Sequence, residues 1–193
     1  MYGRFKFKNN YLNKGNNDCY LLLAILKVCE VFGYGKNDNA DELMLRTLHA
    51  ETRAGRETDT TKLSGYGIAQ FDNPGVIDIL DRIQRREDWY NKSKNELGFD
   101  FADFNTLEKA KTLLCYSWEC SLIFERLTYL AVHKSIPISK EEQADYWFYN
   151  YNRANPILRK IRTQHFLKQC DEPEFINDFQ NLRILKEMYR GKL

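Results

Sequence analysis

The sequence predicts a mainly α-helical fold of α+β type: a helical bundle around one buried central helix, with a small β-hairpin element beside it. Three observations carry this expectation. Only four prolines and ten glycines interrupt 193 residues. Apolar residues recur at three- and four-residue spacing along most of the chain, between polar caps and glycine stops. The helical period fails over one stretch, residues 56–71, where Thr, Gly and aromatic residues gather instead.

Residues 19–32, CYLLLAILKVCEVF, form the first predicted helix, with Asp18 as N-cap and Gly33 and Gly35 as stops. Its uninterrupted apolar run ends at Lys27, far short of the ~20 residues of a membrane span. A polar stretch precedes it, and no small-residue cleavage site follows. It therefore reads as a helix packed on the core and not as a signal peptide. On this reading residues 1–38 are an N-terminal helical extension, and residues 39–193 form the main domain of one compact unit.

Asp38 or Asn39 caps the next helix, whose Leu43, Leu45, Leu48 and Ala50 supply apolar contacts before Gly55 stops it. The segment TDTTKLSGYGIAQF reads as short strands and turns. Helical texture returns after Asn73-Pro74, with Ile77, Leu80 and Ile83 on one face, and a polar loop spans residues 91–100. Residues 107–132 are the longest apolar segment, capped by Asn105 or Thr106, and are predicted as the central helix. Ser139 and Glu142 have capping-box spacing for a helix through Phe148. Asn155-Pro156 and Glu172-Pro173 each place Pro where a helix begins.

Composition bounds the partners. Lys plus Arg number 29 and Asp plus Glu 27, so the net charge of +2 carries no nucleic-acid footprint. Hydrophobic residues make up 43% of the chain, which is enough for a sizeable core. The five cysteines show no CxxC and no zinc spacing, so they read as free thiols of a reducing compartment. No metal site and no cofactor is expected.

The stretch HAETRAGRETDTTKLSGYGIAQFD, residues 49–72, has a recognisable order: a carboxylate ending a helix, a turn-rich element, then Gly-aromatic-Gly-aliphatic-x-Gln. It resembles the goose-type lysozymes and the related soluble lytic transglycosylases. In that family a Glu ends a helix at the floor of a sugar cleft and is followed by Ser; here Glu51 is followed by Thr52. Gly65-Tyr66-Gly67-Ile68-Ala69-Gln70 is similar to the family's Gly-x-Gly-Leu-Met-Gln segment, with Ala69 in place of Met. Asp59 and Asp72 occupy the places of the additional Asp residues of the goose-type enzymes. A weaker likeness lies in DYWFYNYNRANP, where Tyr149-Asn150 and Tyr151-Asn152 both resemble the family's Tyr-Asn-x-Gly, neither with the Gly; Tyr151 is the preferred match.

The resemblance implies a lysozyme-like fold and a muramidase that cleaves the MurNAc–GlcNAc β-1,4 bond of peptidoglycan. Glu51 would be the general acid, and Asp72 or Asp59 the base that activates water. Thr52, Gly65, Tyr66, Gly67, Gln70, Tyr149 and Tyr151 would line the substrate. Protonating a glycosidic oxygen near neutral pH needs a carboxyl whose acid form is stabilised by apolar walls. Leu48 and Ala50 are the neighbours suited to that. A lytic transglycosylase dispenses with the base and leaves a 1,6-anhydro sugar, which is the alternative activity. Family setting suggests a phage endolysin or another wall enzyme, acting as a monomer in the periplasm or cell wall after cytoplasmic synthesis, without membrane insertion.

Plainer readings stand beside these. Asp72 before Asn73-Pro74 equally suits a helix cap, and Asp59 a turn. Trp89, Trp118 and Trp147 suit core anchors better than sugar platforms, and His49, His133 and His165 suit structural roles. The run KIRTQHFLK reads as a solvated helix face that could meet an anionic wall. A non-catalytic glycan-binding protein on the same scaffold, or a nucleic-acid-binding helical domain, are the competing functions.

Overall fold

A computed structural model describes residues 17–57 and 65–191. Among these residues the chain forms nine α-helices: α1 (Asn17–Phe32), α2 (Ala40–Thr52), α3 (Asn73–Arg85), α4 (Glu87–Lys92), α5 (Leu107–Tyr116), α6 (Trp118–Leu130), α7 (Lys140–Trp147), α8 (Arg159–Gln169) and α9 (Pro173–Tyr189). The protein is mainly α-helical. No helix of the described residues is long and apolar enough to cross a membrane.

The central helix is α6. Every residue from Glu119 to Tyr129 is buried, and α1, α2, α3 and α5 pack around it. Such a helix has no solvent face, so its polar residues must be satisfied by neighbours. Arg126, 2% exposed, does this by donating two hydrogen bonds to the carbonyl of Gly33 just beyond the end of α1, at 3.0 and 2.7 Å. A cation there also suits the negative end of the α1 dipole. Helix α1 is buried from Tyr20 to Phe32 apart from Lys27 and Glu30, packs on α6, α9 and α2, and shares one continuous core with the rest of the chain.

The predicted single helix over residues 107–132 is two helices. Ser117 sits in extended backbone between them, and its hydroxyl accepts from the Cys120 N–H (3.1 Å) to cap α6. A serine that can cap offers the chain a break that periodicity alone does not reveal. Thr106 caps α5, and Ser139 caps α7, its hydroxyl accepting from the Glu142 N–H and donating to the Glu142 carboxylate; the reciprocal bond of a capping box is not seen among the described residues. Asn39 stands at the start of α2 but spends its side-chain amide on the Pro137 carbonyl (2.6 Å) instead of capping. Asp18 lies within the first turn of α1.

Two further expectations change in detail. The buried face of α3 is Val76, Ile79, Leu80 and Ile83, whereas Ile77 is exposed; the i, i+3, i+4, i+7 stripe excludes it. Residues 91–100 are not a plain loop: α4 runs into a π-helical turn, Ser93–Leu97, that buries Ser93 and Leu97.

The predicted β-hairpin is not seen among the described residues. Its described part is one isolated antiparallel bridge, Tyr66 to Phe71, closed by two backbone hydrogen bonds of 2.8 and 3.1 Å. A ladder has no room to grow, because Asp72 directly after the bridge already begins α3.

Removing the Ser117 hydroxyl leaves the first turn of α6 without its cap. Ser117→Ala is expected to lower unfolding free energy by about 1–2 kcal/mol, read as a shifted urea midpoint at unchanged slope.

Candidate functional site

Glu51 lies in the last turn of α2, and the way that helix ends sets where its carboxyl points. Arg53, Ala54 and Gly55 all take left-handed backbone (φ +50°, +56° and +80°), which turns the chain sharply away. The Thr52 hydroxyl holds this turn. It accepts from the Gly55 N–H (2.9 Å) and donates to the Ile68 carbonyl (2.8 Å). One buried hydroxyl thus ties the end of α2 to the loop of residues 65–71.

That loop is a tight turn pressed onto α5 and α6. Gly67 is left-handed (φ +71°), and a Cβ there would lie 2.2 Å from the Ser121 hydroxyl and 2.5 Å from the Leu114 carbonyl. A Cβ on Gly65 would lie 2.6 Å from the Gln70 backbone. Both glycines therefore answer to close approach within the protein. Gln70, also left-handed at φ +52°, turns its side-chain amide back onto the Gly67 carbonyl (2.8 Å). Tyr66 is half-buried, with the Lys111 ammonium 4.9 Å above its ring.

The third segment arrives from α7 and the π-helical turn after it, Phe148–Asn152. The Trp147 indole N–H donates to Oε1 of Glu51 at 3.2 Å. The Tyr151 hydroxyl donates to the Ala69 carbonyl at 2.6 Å, and its ring packs on Phe71 and Tyr129. Tyr149 goes the other way: it is exposed, with the Arg159 guanidinium over its ring. Residues 51–52, 65–71 and 147–151 thus converge on one place.

Asp72 does not face this cluster through any hydrogen bond seen here. Its carboxylate caps α3 by accepting from the Gly75 N–H at 2.7 Å. Asp59 lies outside the described residues.

The structure adds a group that the sequence pattern did not single out. Glu125, on α6, is fully buried, and neither of its carboxyl oxygens meets a hydrogen-bond partner among the described residues. Register explains its position. Thr47 and Glu51 are four residues apart on α2, as are Glu125 and Tyr129 on α6. The Tyr129 hydroxyl and the Thr47 hydroxyl meet at 2.6 Å, so the next turns bring Glu125 toward Glu51. Burial drives the Glu125 carboxyl far above the usual carboxylate range, and the Glu51 charge pushes the same way. Thr47 and Arg126 pull it down without prevailing. Thr47 has a better outlet for its own proton, the Leu43 carbonyl at 3.0 Å. Burial, with Glu125 and Glu51 behind it, likewise keeps the Tyr151 phenol protonated as a donor.

The far side of the α2 terminus is clamped by ions. His49 meets Asp178 at 2.9 Å, and Arg56 donates to both Asp178 oxygens at 2.8 and 3.2 Å. Burial raises the Asp178 carboxyl, but the His49 and Arg56 hydrogen bonds outweigh it and hold it below the usual range. His165 bonds the Ala50 carbonyl at 2.9 Å. His49 and His165 thus both brace the backbone around Glu51.

Trp147 also went unrecognised as a site residue, because a core position and a contact with a carboxylate look alike in sequence. Glu125 had a readable signal, an acid inside the apolar run LIFERLTYL of a helix expected to be buried. No family model, curated protein or solved structure matches the chain.

Two outcomes test this geometry. Folded Glu125 keeps a proton that the unfolded chain releases above about pH 4.3. The contribution of this group to stability is therefore greatest at low pH and declines as pH rises, by up to about 1.4 kcal/mol per pH unit. The advantage of Glu125→Gln in thermal unfolding should grow from pH 4 toward pH 8 by roughly this slope. Gly67→Ala should cost about 1–3 kcal/mol in urea unfolding, since the added methyl meets backbone and a buried hydroxyl.

Proposed function

We propose that this chain is a peptidoglycan-cleaving muramidase of lysozyme-like fold, with Glu51 as the general acid. The observation that carries the reading is the convergence of three segments. Glu51-Thr52 is tied to residues 65–71 by the Thr52–Ile68 hydrogen bond, and residues 147–151 reach both through Trp147–Glu51 and Tyr151–Ala69. These are the segments whose order resembles the goose-type lysozymes and lytic transglycosylases.

The chemistry asks one carboxyl to protonate the glycosidic oxygen while the sugar gains oxocarbenium character. Glu51 is partly exposed, with buried Leu48 and Ala50 beside it. The Trp147 indole donates to one carboxyl oxygen and so helps to orient the carboxyl. Glu125 beneath it stays neutral, so a single carboxylate charge develops here when Glu51 gives up its proton. Half-buried Tyr66 and Gln70 are the groups available for sugar contacts.

A second reading, a lytic transglycosylase that leaves 1,6-anhydro ends, is favoured by the engagement of Asp72 as the α3 cap. The Gly75 N–H occupies one oxygen of the carboxylate that would have to meet water. Asp72→Asn separates the two readings without harming the fold, because Asn caps helices as well as Asp does.

The experiment is mass spectrometry of purified peptidoglycan digested by the wild type, Glu51→Gln and Asp72→Asn. Glu51→Gln should lose at least roughly a hundredfold in rate; clearance at the parental rate would sink the assignment. Free reducing ends that vanish in Asp72→Asn identify a hydrolase with Asp72 as base. Anhydro ends that persist in Asp72→Asn identify a transglycosylase. Glycan that is bound but never cut identifies a binding protein on the same scaffold.

A further inference from the structure

Helix α8 and the 3₁₀ turn before it, Pro156–Leu158, form the most exposed stretch of the described chain. Every residue from 155 to 162, NPILRKIR, is exposed. Three of them are large aliphatics: Ile157 is 84% exposed, Ile161 64%, and Leu158 also faces solvent. Single exposed apolar side chains need no explanation, but three within five residues at a helix start do.

The core does not need them. Helix α8 already buries an apolar side of its own, where Phe166 is fully enclosed and packs at a tilt on Trp147. Ile157 and Ile161 are therefore a second apolar surface on an element whose packing is complete. Exposed Tyr149 adjoins it, with Arg159 lying over the ring.

Charge narrows what can cover this surface. Between residues 153 and 170 there are five Lys and Arg residues and no acid. Arg153 and Arg159 are partnered by Asp78 and Asp145. Lys160 and Arg162, on either side of Ile161, make no ion pair among the described residues. Aliphatic side chains flanked by unpaired cations suit the headgroup–acyl boundary of an anionic bilayer, where the stems enter the apolar layer and the cations meet phosphate. A hydrated polyanion has no use for the isoleucines. A second copy of the chain would set cation against cation.

From this we infer that residues 155–162 and Tyr149 form a docking face for an anionic lipid surface. The face is rigidly joined to the candidate site. The His165 ring bonds the Ala50 carbonyl beside Glu51, and Phe166 packs on the tryptophan that holds the Glu51 carboxyl. Docking then sets the orientation of Glu51 relative to the bilayer plane. The inference does not rest on the muramidase reading and is tested without any activity assay.

The test is co-sedimentation of the full chain with large vesicles of phosphatidylcholine, with and without phosphatidylglycerol, at low and at physiological salt. Binding should require the anionic lipid, weaken with salt, and fall roughly tenfold or more in each of two variants, Ile157→Ser/Ile161→Ser and Lys160→Gln/Arg162→Gln. Circular dichroism and melting should match the wild type, since the altered side chains are exposed. Equal partitioning onto neutral vesicles, or undiminished binding by both variants, overturns the inference. So does absence of vesicle binding together with capture by a soluble polyanion. So does a concentration-dependent dimer, seen by sedimentation equilibrium, that Ile157→Ser/Ile161→Ser abolishes.

Discussion

The hydroxyl of Thr52 is the point on which this arrangement turns. Helix α2 ends in three consecutive left-handed residues, only one of them glycine. Such backbone costs on the order of 1 kcal/mol or more per non-glycine residue and persists only where surroundings over-determine it. Thr52 supplies that determination by accepting from Gly55 on one side and donating to Ile68 on the other. The Asp178 ions hold Arg56 beyond the turn, and His165 holds Ala50 before it. Glu51 is thereby a side chain on fixed backbone, which is what positional catalysis requires.

Three of the buried carboxyls find different accommodations. Asp178 keeps its charge because His49 and two Arg56 hydrogen bonds meet it. Asp41 meets the Lys186 ammonium at 2.9 Å; burial still raises its carboxyl, and its second oxygen meets no hydrogen-bond partner among the described residues. Glu125 has no hydrogen-bond partner among the described residues and goes neutral. An isolated buried charge is so costly that protonation is the cheaper outcome. A neutral acid beneath Glu51 puts polar bulk there without a second negative charge.

Helix α8 shows how one element can serve two surfaces. Its inner side closes the core over Trp147 and so supports the candidate acid. Its outer side carries apolar residues that folding leaves in water. Because the helix is anchored at both His165 and Phe166, whatever covers the outer side acts on a rigid body continuous with α2.

Local sequence determined the helices, their caps and the order of the candidate residues, because these depend on spacing and on groups within a few positions. The Ser139 cap of α7, the glycine stops after α1 and the proline-led start of α9 are of this kind. Glu51, Thr52 and the 65–70 segment were legible as an ordered pattern for the same reason. Tertiary structure alone decided what joins them. The separation of Tyr151 from Tyr149 and the arrival of Trp147 at Glu51 depend on residues far apart in the chain. Glu125 is the sharpest case. Its sequence shows only an acid in an apolar run, while its protonation is set by total burial and by a charge on another helix, neither of which exists until α2 and α6 pack together.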